Sequence, residues 1–265
     1  MQMASQDLMD TIITGDCREV LPTLPDRWAA FGFADPPYWV GFRHRDTTDA
    51  EMDYIEPAWL VSEMTRICEV VCITPGIANL QEYPKADWCV CCFRPGATGQ
   101  SRLGGFNIWE PILVYGTPHK KLWQDGILVP FGSGLAKDRV FHNCPKPEPL
   151  LSYLVEGFTE PGQLVLDPVS GSGTTCKAAY QLGRHYLGIE IDPVTAELSR
   201  QRLAQAQPPL FTTRRLHNQS LEPTSAIATQ IEMDLGNEGQ EVEVLWKKSR
   251  TCGSTQPLDG KLKED

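Results

Sequence analysis

The feature that most constrains the fold is the segment LVLDPVSGSGTT at residues 164–175. An apolar stretch typical of a buried strand ends in an acid, a turn rich in Gly and Ser follows, and a helix begins. Gly171 and Gly173 allow the backbone to turn sharply and to approach a bound ligand closely. The segment lacks the Lys of a phosphate-binding P-loop and the third Gly of GxGxxG, so neither motif explains it.

A second acidic residue ends the next predicted strand. The segment HYLGIE at residues 185–190 places Glu190 about 20 residues after the Gly turn, where an acid can bind both ribose hydroxyls of a nucleoside. The turn and the acid together indicate a cofactor that contains adenosine. An alternative stays open, because Asp167, Glu190 and Asp192 are also residues that cap helix N-termini.

Strands and helices alternate along the C-terminal half, which is typical of a parallel α/β sheet. We expect one domain over residues 1–206, followed by a polar and largely disordered tail over residues 207–265. The predicted elements are strands at 11–16, 29–34, 70–74, 87–93, 107–116, 163–167 and 185–190, and helices at 57–70, 148–157, 174–182 and 192–206.

The tetrapeptide DPPY at residues 35–38 is the second motif with chemical meaning. Asp35 ends a predicted strand, and open α/β sheets bind ligands at the carboxyl ends of their strands. Pro36 and Pro37 fix the backbone, so that the Pro36 carbonyl can point into a site. Tyr38 offers an aromatic face on which a base can stack. As a bare tetrapeptide, DPPY is also compatible with a rigid turn.

Taken together, DPPY and DPVSGSGTT resemble the motifs of the amino-directed DNA methyltransferases, which use S-adenosylmethionine to methylate exocyclic base amines. DPPY precedes the cofactor motif here, an order similar to that of the β group of the family. The resemblance covers about residues 11–206. It implies a Rossmann-like methyltransferase sheet with circularly permuted motif order, in which the DPPY strand and the Gly-turn strand are neighbours.

The resemblance also implies roles for particular residues. The DPPY residues would be catalytic, with the Asp35 carboxylate and the Pro36 carbonyl accepting the two N–H groups of the base amine. TGDC at residues 14–17 is similar to the acidic motif that contacts the cofactor adenine, and NCPKPEPLL at 143–151 is similar to a Lys-Pro segment of the family. The cofactor-binding residues are then Asp16, Cys17, Lys146, Asp167, Pro168, Gly171, Gly173, Thr174, Glu190 and Asp192.

The partner implied is double-stranded DNA, from which the target base must be flipped out because a duplex hides its amine. We expect the target-recognition region within residues 39–145. The formal net charge of −10 opposes binding to nucleic acid, but contact depends on local basic patches. The candidate DNA contacts are Arg43, Arg45, Arg94 and Arg102, each of which could instead be a solvated surface residue.

Asp35 favours adenine N6 as the target, since the cytosine-N4 enzymes of the family more often carry Ser at this position. The alternatives are cytosine N4, a base in RNA, a glutamine amide in a protein, and a cofactor-binding regulator without turnover. The protein-directed enzymes usually have Asn before Pro-Pro-Tyr and carry the cofactor motif first, so the motif order argues against them. The intact DPPY argues against the regulator.

Composition excludes several other classes of protein. With 41% hydrophobic and 22% charged residues the chain is globular, and no run approaches the roughly 20 apolar residues of a membrane span. The N-terminus lacks the features of a signal peptide. Nine cysteines, an odd number in a chain of 265 residues, favour free thiols over a disulfide framework or a zinc site. We expect a soluble cytoplasmic protein without a metal.

Overall fold

The chain is described by a computed structural model over residues 8–38, 54–95, 107–118, 122, 124–129 and 146–207, and as backbone alone at 43–44 and 47–48. All of these residues belong to the first of two units into which the chain divides, Met1–Thr212. The expected tail after residue 206 lies outside this range, apart from Gln207. Its predicted disorder therefore stays a prediction.

Strands and helices follow one another largely as the sequence predicts. The strands are β1 (Thr11–Thr14), β2 (Ala29–Ala34), β3 (Arg43–His44), β4 (Thr47–Thr48), β5 (Cys68–Ile73), β6 (Trp88–Phe93), β7 (Trp109–Gly116), β8 (Gly126–Leu128), β9 (Leu164–Asp167) and β10 (His185–Glu190). The helices are α1 (Cys17–Val20), α2 (Pro57–Ile67), α3 (Glu148–Phe158), α4 (Thr174–Gln181) and α5 (Pro193–Ala204), with a 3-10 turn at Leu21–Thr23.

Eight of the strands form one sheet in the order β1-β10-β9-β2-β5-β7-β6-β8. In this order the first five strands, β1, β10, β9, β2 and β5, are parallel to one another. β7 is antiparallel to both β5 and β6, and β8 is parallel to β6. The predicted pairing of the DPPY strand with the Gly-turn strand is confirmed, because Phe31 of β2 lies opposite Val165 of β9. The α/β sheet with the predicted permuted order of strands is therefore observed.

Both faces of the central strands are covered, as in other parallel sheets with helices on each side. Every residue of β2 is buried. On one face Phe31 and Phe33 pack in a cluster with Leu154 of α3, and on the other Met64 of α2 packs in a cluster with Ile73. This packing holds the carboxyl ends of β2, β5, β9 and β10 at one edge of the sheet, where the predicted site residues lie.

The structure differs from the prediction at several strand ends, and β1 stops at Thr14 instead of residue 16 because Asp16 caps α1. The second helix ends at Ile67 instead of residue 70, because Cys68 pairs with Ala29 and begins β5. The sequence does not predict β8, since its three residues are too short for a periodic pattern. The strands β5 to β8 all come from residues 39–145, so much of the expected target-recognition region belongs to the main sheet.

None of the helices within the described ranges has the length and apolar character needed to cross a membrane.

Candidate active site

The DPPY motif lies at the carboxyl end of β2. The strand stops at Ala34 because Pro36 and Pro37 have no N–H with which to continue the ladder. Thr74, the residue after β5, donates its backbone N–H to the Ala34 carbonyl at 3.0 Å. Its hydroxyl donates to Oδ1 of Asp35 at 2.5 Å. The Asp35 carboxylate is thus fixed from the neighbouring strand.

Asp35 belongs to a cluster of polar side chains from several elements, here called the Asp35 cluster: Asp35, Tyr38, Thr74, Glu110 and Lys146. The Tyr38 hydroxyl lies 2.5 Å from Asp35 Oδ1 and 2.9 Å from Glu110 Oε1. Lys146 Nζ lies 2.7 Å from the Tyr38 hydroxyl and 3.0 Å from Asp35 Oδ1, and it also forms an ion pair with Glu110 Oε1. The cluster therefore joins two carboxylates through one ammonium and one phenol.

The Tyr38 phenol keeps its proton in this environment. Burial of the hydroxyl, together with the negative charges of Asp35 and Glu110, raises the pKa of Tyr38 well above its usual value. Asn79 donates from Nδ2 to the Tyr38 carbonyl at 2.6 Å, and the ring lies against Gly76. A Cβ at Gly76 would lie 3.2 Å from Cγ of Tyr38, so a side chain there would press on the ring. Tyr38 as a whole is half-buried.

The Gly turn connects β9 to α4 through two left-handed residues, Gly171 with φ 51° and Gly173 with φ 71°. Gly171 N–H donates to Oε2 of Glu190 at 2.8 Å, and Asp192 N–H donates to Oε1 at 2.9 Å. Glu190 thus joins the Gly turn to the residue that precedes α5, and burial raises the pKa of Glu190. The Ser170 hydroxyl is buried and has no hydrogen-bond partner within the described part of the chain.

Asp167 and Arg202 support the turn from below. Asp167 is buried at the end of β9 and accepts the Val169 N–H at 3.1 Å. Burial raises the pKa of Asp167 to about 7, although a bond from the Thr175 side chain opposes the shift. Arg202 of α5 donates from Nη1 to the Ser172 carbonyl and to Thr174 Oγ1, both at 2.9 Å. The turn is therefore tied to the helix that packs beneath it.

Asp16 and Cys17 follow β1 at the same edge of the sheet. The Gly15 N–H donates to the Glu190 carbonyl at 2.9 Å, which places Asp16 near the Gly turn. Arg18 binds Oδ2 of Asp16 through Nε and Nη2 at 3.0 and 2.6 Å, and this bond lowers the pKa of Asp16. The Cys17 thiol is buried, and burial raises its pKa to about 12.

The structure thus brings most of the predicted site residues to one edge of the sheet. Asp192 caps α5 by accepting the Thr195 N–H at 2.8 Å, as the capping alternative predicts. Among the predicted DNA contacts, Arg94 follows β6, and Arg43 is described only as backbone in β3. Arg45 and Arg102 lie outside the described residues, so the predicted DNA contacts stay predictions.

Sequence reasoning missed Thr74, Asn79 and Glu110. Glu110 carries a usable signal, because it is the only charged residue in the strand segment WEPILVYG. A charged side chain in an apolar strand needs a buried partner, which here is Lys146. Thr74 and Asn79 carry no comparable signal, since Thr and Asn are ordinary residues after a strand.

The described cysteines form neither a disulfide nor a metal site. All seven cysteines in the described part of the chain are free thiols. Within the described ranges there is also no group of three or more His, Cys, Asp or Glu side chains that could hold a metal ion.

Known proteins resemble this chain in sequence and in fold. The family model for DNA methylases matches residues 105–201. YubD of Escherichia coli (strain K12), which is named as a methylase, is 33% identical over 217 residues, which cover 75% of this chain and 92% of YubD.

Two solved structures support the fold at low sequence identity. The Thermus thermophilus protein TTHA0409, complexed with S-adenosyl-L-methionine, is 22% identical with a TM-score of 0.51, covering 76% of this chain and 95% of that protein. The PvuII DNA methyltransferase, which is cytosine-N4-specific, is 14% identical with a TM-score of 0.53, covering 83% of this chain and 91% of that enzyme.

Proposed function

Because this chain belongs to the DNA methylase family, we propose that it transfers a methyl group from S-adenosylmethionine to adenine N6 of a base flipped out of duplex DNA. One observation carries this proposal. Asp35-Pro36-Pro37-Tyr38 ends β2, and the Gly turn follows β9, the parallel neighbour of β2. The group that would hold the amine and the turn that would hold the cofactor therefore meet at one sheet edge.

The chain's own residues would activate the amine by hydrogen bonding. An exocyclic amine is a weak nucleophile because its lone pair is delocalised into the ring. The Asp35 carboxylate and the Pro36 carbonyl would accept its two N–H groups, which localises the lone pair on nitrogen and orients it for attack. Tyr38, half-buried and held against Gly76, offers its ring for stacking of the flipped base.

The residues at the Gly turn fit a nucleoside cofactor. Glu190 accepts one backbone N–H on each oxygen, so each oxygen keeps a lone pair for a ribose hydroxyl. Ser170 has a buried hydroxyl without a partner in the described ranges, which suits a site that is completed by a ligand. When bound, S-adenosylmethionine supplies an electrophilic methyl group. Val169 stands where the family often has an aromatic residue, so we expect weaker packing around the cofactor.

Adenine is the proposed base because Asp begins the motif, whereas cytosine-N4 enzymes of the family more often begin it with Ser. The chemistry at the amine is the same for both bases. The DNA contacts are proposed to come from Arg43, Arg45, Arg94 and Arg102. With a net charge of −10 we expect modest affinity, and because arginine contacts with phosphate release counterions we expect that affinity to fall steeply with salt.

The test is transfer of a labelled methyl group from S-adenosylmethionine to unmethylated duplex DNA, followed by digestion to nucleosides. We expect label in N6-methyl-2′-deoxyadenosine, lost in Asp35→Asn and retained in Asp26→Asn, an exposed acid outside the motif. Label in N4-methyl-2′-deoxycytidine would contradict the choice of base. Absence of label, with cofactor binding intact, would contradict DNA as the substrate and favour RNA or protein.

A further inference from the structure

Three donors converge on a single oxygen of Asp35. The Thr74 hydroxyl and the Tyr38 hydroxyl each lie 2.5 Å from Oδ1, and Lys146 Nζ lies 3.0 Å from it. Among the side chains that the structure describes, none donates to Oδ2. A carboxylate oxygen has about two lone-pair sites, so three donors saturate Oδ1. Oδ2 is therefore the oxygen with capacity to accept an N–H.

Glu110 supports two of these three donors through Lys146, because the single proton of the Tyr38 hydroxyl cannot be given to Asp35 and to Glu110 at once. Glu110 Oε1 accepts from Lys146 Nζ, which also donates to the Tyr38 oxygen at 2.7 Å. Glu110 is on β7, which β5 separates from the DPPY strand, so it reaches Asp35 only through Tyr38 and Lys146. The side chains of Glu110 and Lys146 are 15% and 10% exposed, so their interaction is weakly screened by solvent.

Stability alone does not explain this arrangement. Glu110 Oε2 is buried and has no hydrogen-bond partner within the described ranges. A buried carboxylate oxygen without a donor costs free energy, and an apolar residue would suit the surrounding strand better. The neighbouring inward-facing residues of β7, Ile112 and Val114, are both buried and apolar. Because the buried carboxylate of Glu110 lowers the stability of the fold, its presence at this one position of β7 indicates that it serves the active site.

We propose that Glu110 is a positioning residue, which holds Lys146 and, through Lys146, Tyr38, so that donors occupy Oδ1 of Asp35 and Oδ2 is left to accept the base amine. This inference rests on the proposed function and deepens it by naming the Asp35 oxygen that accepts the N–H of the base amine. Two carboxylates and one ammonium leave the cluster one net negative charge. That charge stabilises the positive charge that develops on the amine nitrogen during attack. Lys146 acts here on Asp35, in addition to any contact with the cofactor.

The experiment compares Glu110→Gln, Lys146→Met and the double variant in single-turnover methyl transfer to duplex DNA. We expect each single variant to be about 10- to 100-fold slower at saturating DNA, with the KM for DNA changed by less than about twofold. The Kd for S-adenosylmethionine should also change by less than about twofold in Glu110→Gln, whereas Lys146 is itself a predicted cofactor contact, so its variant carries no such expectation. Both changes act through Asp35, so we expect the double variant to be no more than about threefold slower than the worse single variant.

Two further variants separate positioning from a merely structural role. Glu63→Gln is the matched control, because Glu63 is 18% exposed and forms an ion pair with Arg66 at 2.7 Å, away from the site. We expect it to transfer methyl groups at the wild-type rate. Thr74→Val keeps the shape of the side chain and removes one donor to Oδ1, and we expect a loss of about 3- to 10-fold without a fall in Tm.

Several outcomes would overturn the positioning role. These are a wild-type rate in Glu110→Gln, losses in the double variant that equal the product of the two single losses, or a rate loss in Glu110→Gln matched by an equal loss of affinity for the cofactor. Failure of the proposed function looks different, because the wild-type protein itself would then bind the cofactor and leave DNA unlabelled. In that case the inference falls with the function on which it rests.

Discussion

The ends of the neighbouring strands β2 and β9 are built in different ways. At β2, side chains from several elements meet around Asp35 and carry charge. At β9, the backbone turns through two left-handed glycines, and Glu190 accepts the N–H of the first of them, Gly171. The first arrangement places charge at a reacting atom, and the second shapes a backbone surface. Substitutions at β2 should therefore damage transfer, and substitutions at β9 should damage binding and stability.

The largest expected effect tests this division at Asp35. We expect Asp35→Ala to slow methyl transfer by at least about 10²- to 10³-fold, because it removes a polar group that stabilises developing charge. The Kd for S-adenosylmethionine should change by less than about twofold, since Asp35 is not part of the Gly turn. Single-turnover labelling and calorimetric titration with the cofactor measure the two quantities. A matching loss in both would show that the two strand ends form one inseparable site.

The second prediction concerns the charge of Asp167 at the β9 end. Burial raises its pKa from the ordinary value of 3.8 to about 7, so the folded state holds a proton that the unfolded state releases. The protonated Asp167 makes its full contribution to the free energy of unfolding below the pKa of the unfolded state. That contribution is lost as the pH rises through the pKa of the folded state. Asn cannot ionise. As the pH is raised from about 5 to about 8, the free energy of unfolding of Asp167→Asn should therefore increase by about 2–3 kcal/mol relative to that of the wild type.

Denaturant unfolding at the two pH values measures this gain, and the matched control is Asp26→Asn. Asp26 is 74% exposed, so its substitution should show no comparable change. An equal stability difference between Asp167→Asn and wild type at both pH values would contradict the assignment. It would mean that the β9 end tolerates a buried charge as the β2 end does.

The two strand ends also differ in how far the sequence could predict them. The Gly turn is local, so its glycines, Asp167 and the acid at Glu190 are visible in one short stretch, and the sheet neighbours followed from the motif order. The Asp35 cluster draws on residues 74, 110 and 146, which only the folded sheet brings together. The sequence predicts that Lys146 binds the cofactor, but its contacts with Asp35 and Glu110 depend on strand pairings that no local pattern encodes.

The third prediction sharpens the account of the Gly turn. Gly173 has φ 71°, and a Cβ there would lie 3.1 Å from Cδ1 of Leu203 and 3.3 Å from Cβ of Ser199. We expect Gly173→Ala to lower the free energy of unfolding by about 1–2 kcal/mol from backbone strain alone, with a further loss from these contacts. The Kd for S-adenosylmethionine should rise together with this loss of stability.

Gly162 provides the matched control for that prediction. Its φ is 83°, but a Cβ at this position would meet nothing within 4 Å. Gly162→Ala should therefore show the strain alone, without any effect on the Kd for the cofactor. Equal stability losses in the two variants would mean that the packing under the turn contributes nothing.

The smallest expected effect separates capping from cofactor binding at Asp192. Its Oδ2 accepts the Thr195 N–H and lies 2.5 Å from the Thr195 hydroxyl, so the side chain caps α5. We expect Asp192→Ala to lower the free energy of unfolding by about 1 kcal/mol, and Asp192→Asn to restore most of it, because Asn also caps helices. If the side chain only caps, both variants should keep the wild-type Kd for S-adenosylmethionine, measured beside thermal unfolding. A weaker affinity for S-adenosylmethionine in Asp192→Asn with normal stability would instead show that the carboxylate contacts the cofactor, so that a charge after β10 adds to the backbone surface at the β9 end.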